Sequence, residues 1–182
     1  MLTTTVISVL LSLSTASAAF PALAPRACTN HLANPSFESG NVSPWLPIVE
    51  SAWTTRGVFS DSFTHGGTHH YYAHASSAVS SSFTLSQSGI SAPAGHTVDC
   101  YAWVAGRRSE GVTMIEVFLD GVSCGTAQLG TGERRWERVG SRVRVGGNAT
   151  GMGSTIAVVA TSKAAGDDGW DLWVDDVGVV GC

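Results

Sequence analysis

Charge is scarce in this chain: Asp, Glu, Lys and Arg make up 13% of its 182 residues, and the formal net charge is −4. A nucleic-acid partner would want a basic stripe. The short pairs Arg107-Arg108 and Arg134-Arg135 do not make one and read as solvated charges of loops and strand edges. Long apolar runs are missing as well. The apolar run over residues 1–13 falls short of the ~20 residues that span a bilayer, so no membrane association is expected. No stretch keeps a helical period over three turns. The absence of CxxC argues against a zinc knuckle or a thioredoxin-like redox centre. H-E-x-x-H does not occur, and the one G-x-S-x-G string, residues 121–125, falls at the Asp120-Gly121 turn and is no nucleophile elbow. Glu110, Glu116, Glu133, Glu137 and Asp167-Asp168 are available as carboxylates, but their setting singles out no pair of the kind a glycosidase needs.

What is present begins with an export signal. The apolar run is followed by small residues, and Ala16-Ser17-Ala18 is the A-x-A pattern of signal-peptidase cleavage. Residues 1–18 are therefore expected to be a signal peptide, and 19–27, with two prolines and no periodicity, a loose leader open to trimming after Arg26. The product is expected outside the cell as a monomer, with residues 28–182 forming one domain. Four cysteines in an exported chain favour two disulfides, for which three pairings exist. Cys28 and Cys182 lie at the two ends, where a bridge would staple the termini together; Cys100 and Cys124 flank an apparent hairpin that they could bridge. Period-two runs recur at 71–75, 81–86, 97–105, 113–119, 122–127, 135–145, 155–161 and 172–180, with Asp120-Gly121 a strong hairpin turn. Many short strands punctuated by Gly and Ser read as an all-β antiparallel sandwich or barrel.

Asn34-Pro35-Ser36-Phe37-Glu38-Ser39-Gly40, followed by Ser43-Pro44-Trp45, resembles the opening of carbohydrate-binding modules of the family 4/9/22 type. The closing 172–179, LWVDDVGV, looks like that family's last strand, and Thr84-Leu85-Ser86-Gln87 with 94–98 resembles its centre. The resemblance touches most of residues 30–182. It implies a galactose-binding-like jelly roll, and a cysteine framework similar to fungal secreted versions with a terminal bridge and a hairpin bridge. It also implies a structural calcium held by Glu38 and Asp175, since calcium takes 6–8 oxygen ligands. Strict alternation aims Asp176 to the other face. The implied function is non-catalytic binding of a polysaccharide or oligosaccharide. Alternatives are a carbohydrate-active enzyme on the same scaffold, and a secreted surface protein that has lost its sugar site.

Sugar rings present apolar C–H faces edged with hydroxyls, so a site wants exposed aromatics and hydrogen-bonding side chains. The densest cluster is 64–74, THGGTHHYYAH, which as a strand aligns His70, Tyr72 and His74 on one face. Tyr101 and Trp103 share another face, Trp53 and Trp170 sit in turn-rich segments open to solvent, and Gln87 matches the family's S-Q. Trp45 reads as a core plug, and Trp136 and Trp173 as core or rim. His65, His69, His70 and His74 could accept copper or zinc, but their spacing matches no established motif. Asn148 and Asn41 fit the glycosylation sequon.

Overall fold

The computed structural model describes residues 27–50, 53–76, 80–132, 134–146, 152–162 and 166–182. The expected signal peptide, nearly all of the leader and the Asn148 sequon lie outside them. Among the described residues there is no helix, and eleven strands form two antiparallel sheets. In chain order these are β1 (Thr29–Asn30), β2 (Leu46–Glu50), β3 (Trp53–Phe59), β4 (His70–Ala75), β5 (Ser81–Ile90), β6 (Thr97–Arg108), β7 (Thr113–Leu119), β8 (Val122–Leu129), β9 (Glu137–Arg144), β10 (Ser154–Ser162) and β11 (Trp170–Gly181). One sheet runs β3-β4-β11-β6-β9, with β1 pairing the end of β11; the other runs β2-β5-β10-β7-β8. This is the expected β-sandwich.

Alternation builds the core. In β5, Phe83 and Leu85 point inward while Ser82, Thr84 and Ser86 point out; in β10, Ile156, Val158 and Ala160 meet Ile115 and Val117 of β7. Trp45 is buried as expected and donates its indole N–H to the Asn34 carbonyl at 2.9 Å. Strand β11 departs from alternation and is buried on both faces over most of its length. It lies between β4 and β6, its inner side chains reach the core, and its outer ones lie under the segment between β3 and β4.

Near its end β11 carries a register shift between Asp175 and Gly178. Asp176 there adopts φ 41°, which breaks the two-residue period. The expectation that Asp176 faces away from Asp175's partners is thereby corrected: its carboxylate meets His65 Nδ1 at 2.6 Å, in the segment whose amides Asp175 also binds. Two groups of the N-terminal segment cover the bulge. Asn30 donates to the Val177 carbonyl and accepts from the Val179 amide, and the Val177 amide donates to the Pro35 carbonyl at 2.9 Å. Gly178 is required, because a Cβ there would enter the Tyr101 ring.

Two disulfides form, Cys28–Cys182 between the ends and Cys100–Cys124, which is not the expected hairpin bridge but ties β6 of one sheet to β8 of the other. The first links the start of β1 to the end of β11 at a sequence separation of 154, a loop whose closure greatly restricts the unfolded chain. The double variant Cys28→Ser/Cys182→Ser should lose about 2–5 kcal/mol of stability, read by urea unfolding against the disulfide-bonded parent. An unchanged midpoint would show that β1 pairing and the Asn30 contacts suffice to hold the termini.

Candidate functional site

The outer face of the β11-containing sheet carries most of the chemistry. Cross-strand register sets Tyr72 opposite Trp173, and His74 opposite Asp171. Asp171 in turn lies opposite Arg107, and Asp175 opposite Trp103. Aromatic rings pack into a chain across this face. Phe59 meets Tyr72 at 5.4 Å, Tyr72 meets Trp173 at 5.2 Å, and Trp173 meets Phe63 at 5.6 Å. Phe63 stacks on Trp136 at 5.2 Å, and His65 stacks on Trp103 at 3.8 Å. Phe63 and His65 belong to the β3–β4 connection, which lies over half of the sheet.

Carboxylates from opposite ends of the sequence hold that connection down. Asp175 is fully buried and accepts N–H donors from His65 at 2.9 Å, Gly66 at 3.1 Å and Asp176 at 2.7 Å. Glu38 accepts from the amides of Thr68 and His69, each at 2.9 Å, and from the Thr68 hydroxyl. Burial pushes Asp175 up to about 6, against its hydrogen bonds. Glu38 is held down to about 2, chiefly by the His69 amide. Gly66 and Gly67 allow the close approach, since a Cβ at either would collide with Asp176 or Glu38. Calcium wants carboxylate and carbonyl oxygens converging on one point. Here both expected ligands are already engaged by amides, and no group of three or more His, Cys, Asp or Glu gathers into a metal site among the described residues. The residues as arranged fit an anion-and-amide clasp better than a cation site.

Beyond the covered half, the face opens. A pocket of about 240 Å³ is lined by Phe59, Asp61, His70, Tyr72, Arg107, Arg134 and Trp173. A second, of about 430 Å³, meets it at Arg107 and is walled by Arg108, Ser109, Asp168, Gly169 and Asp171. Between them Asp171 is saturated with donors: the Tyr72 hydroxyl at 2.6 Å, His74 Nδ1 at 2.9 Å, and two nitrogens of Arg107 at 2.8 Å. This network holds Tyr72 and Arg107 in place. Burial, joined by the hydrogen bond to Asp171, pushes the Tyr72 hydroxyl up, so it stays a neutral donor. Arg134 lies with its guanidinium 4.1 Å above the Phe63 ring and 5.4 Å from that of Trp173. His70 is fully buried, and neither ring nitrogen has a hydrogen-bond partner; the nearest carboxylate, Asp61, is 3.9 Å from Nε2. An unpaired buried polar atom costs about 1–3 kcal/mol.

Of the expected contact residues, His70 and Tyr72 line the pocket. Tyr101 and Trp103 share the face but lie at its covered end, with Tyr101 under Arg138 at 4.1 Å and Trp103 under His65. Three expectations are corrected. Trp53 is part of β3, packs on Trp170 at 4.8 Å and Phe83 at 5.4 Å, and donates to the Ser82 carbonyl. Trp170 is buried in the core and bonds Ser81 Oγ at 2.8 Å. The Gly, Ser and Asp residues around them mask the strands that both begin. Gln87 points inward and satisfies both the amide and the carbonyl of Ala33, each at 2.8 Å. Phe59, Asp61, Arg107, Arg134, Asp171 and Trp173 were not anticipated. Only their cross-strand register and the fold of the β3–β4 connection bring them together, although the aromatic richness of 59–74 signalled the neighbourhood. Asn41 is exposed in a turn, where its side chain accepts from the Ser43 amide.

No family model matches the chain, and no curated protein does. Solved structures do. The family 61 carbohydrate-binding module TmCBM61, solved with β-1,4-galactotriose, superposes with a TM-score of 0.57 at 24% identity, over 82% of this chain and 97% of that one. The family 16 carbohydrate-binding module-2 gives 0.54 at 13% identity, over 84% and 100% of the two chains. The C-terminal family 22 module of Clostridium thermocellum Xyn10B gives 0.50 at 18% identity, over 80% and 90%. The fold is thus that of carbohydrate-binding-module jelly rolls.

The buried imidazole gives a pH signature. Burial lowers the affinity of His70 for a proton below its ordinary value of 6.5; Asp61 opposes this and Arg134 adds to it. The unfolded chain therefore takes up that proton first, so this contribution to stability is present above about 6.5 and is lost as pH falls through it. Urea unfolding from pH 7.5 to 5 should show a smaller loss in His70→Gln than in the parent protein. Parallel curves would place the histidine in water.

Proposed function

We propose that this protein is a secreted, non-catalytic carbohydrate-binding module whose sugar site is the groove running from Phe59 and Tyr72 past Arg107 to Asp168. The observation that carries this reading is the open half of the aromatic face. Phe59 is 39% exposed beside Tyr72, which suits the apolar face of a sugar ring, and oriented donors surround it at Arg107, Arg134 and His70. Ligand sites commonly pair apolar walls with a few fixed polar groups in this way. The jelly-roll fold, shared with modules solved with or described as binding saccharides, supports the same reading. The two disulfides suit a protein that works outside the cell, and Asn41 and Asn148 are its proposed glycosylation sites. It is proposed to act as a monomer.

Calcium at Glu38 and Asp175 is the one proposed cofactor, and its binding there requires the amides of 65–69 to turn away. A higher Tm in calcium than in EDTA supports it; superimposable melting curves remove it.

Affinity electrophoresis in gels holding galactan, xylan, β-glucan or polygalacturonate should retard the protein on at least one polymer. Phe59→Ala should weaken that retention about tenfold, the order expected for a lost aromatic contact. Free migration of the folded protein through all four gels overturns the proposal.

A further inference from the structure

The open pocket contains two polar groups with no hydrogen-bond partner among the described residues, and their chemistry is specific. Arg107 spends its charge on Asp171 within the protein. Arg134 does not: its guanidinium is pinned between aromatic neighbours and makes no hydrogen bond or ion pair with any described residue. A stacked guanidinium keeps its N–H edges free and loses little entropy on binding, and those edges match a carboxylate in bidentate geometry. His70, buried in the same pocket with both nitrogens uncommitted, offers one donor and one acceptor in its neutral form, the pattern that adjacent sugar hydroxyls answer. Asp61, half exposed on the same wall, accepts from hydroxyls and repels a second anion.

These groups ask for a ligand with one negative charge among neutral hydroxyls. Inorganic phosphate and nucleic acid carry too much charge for a pocket edged by Asp61 in a protein of net charge −4. A neutral sugar leaves the Arg134 edge unanswered. We infer that the pocket takes a hexuronate unit of an acidic polysaccharide, its carboxylate on Arg134, its hydroxyls on His70 and Asp61, and its ring against Phe59 and Tyr72. This deepens the proposed function and rests on it.

The test is calorimetric titration of the disulfide-bonded protein with oligogalacturonate, oligoglucuronate, a neutral β-1,4-galactan oligosaccharide and a sulfated galactan oligosaccharide. At least one uronate should bind about tenfold or more tighter than the neutral sugar, the size of one charge-assisted pair, and should weaken with added salt. Arg134→Gln should remove that advantage at unchanged Tm, while Arg142→Gln, an exposed arginine of β9 outside the pocket, should keep it. Equal or tighter binding of the neutral sugar overturns the inference and leaves the proposed function standing. Preference for the sulfate ester overturns the carboxylate assignment. Absence of binding to all four overturns both. Retention of the uronate preference in Arg134→Gln shows the carboxylate to be read elsewhere and overturns the site.

Discussion

Asp175 is a carboxylate with no access to water, and its two oxygens are answered by the amides of His65, Gly66 and Asp176. A buried charge is tolerated only when hydrogen bonds of this kind replace its hydration. Much of the aromatic face depends on that exchange. The amides belong to the β3–β4 connection, and once they are fixed, His65 must stack on Trp103 and Phe63 must lie between Trp136 and Trp173. The connection therefore covers one half of the sheet and leaves the other half as a groove.

The clasp in turn requires both ends of the chain. Glu38, from the N-terminal segment, holds Thr68 and His69, while Asp175 and Asp176, from the last strand, hold His65 and Gly66. These ends are registered by β1 pairing with β11, by Asn30 over the β11 bulge and by the Cys28–Cys182 bridge. A covalent link that looks remote from the groove thus belongs to the same mechanical unit. The second network, Asp171 with Tyr72, His74 and Arg107, stiffens the open half. It uses up the Arg107 charge internally and leaves Arg134 as the cation of the pocket without an ion pair among the described residues.

The resemblance in the terminal motifs put Glu38 and Asp175 in a single site, and both do grip one connection. Amides, not one another, are their partners, and the difference is physical. Two anions brought together need a cation or donors between them, and a Gly-Gly segment can present consecutive N–H groups at no steric cost. Asp176 shows why alternation alone misleads. One bulge re-aims a side chain, and bulges depend on what the neighbouring segment offers the freed backbone.

Period two, turn residues and cysteine positions determined a great deal without any structure: an all-β chain, most of its strands, the shared face of Tyr101 and Trp103 in β6, and the residues available for two bridges. These are local properties, set by side-chain alternation and turn chemistry. Trp53, Trp170 and Gln87 became core or support, and Phe59, Arg107, Arg134 and Trp173 became the pocket, only in the tertiary structure. Exposure depends on which strands become neighbours and on what a loop covers, and those are long-range facts that no local pattern encodes. Tyr72 meets Trp173 across 101 residues because β4 and β11 pair, and that pairing determines where the aromatic face lies.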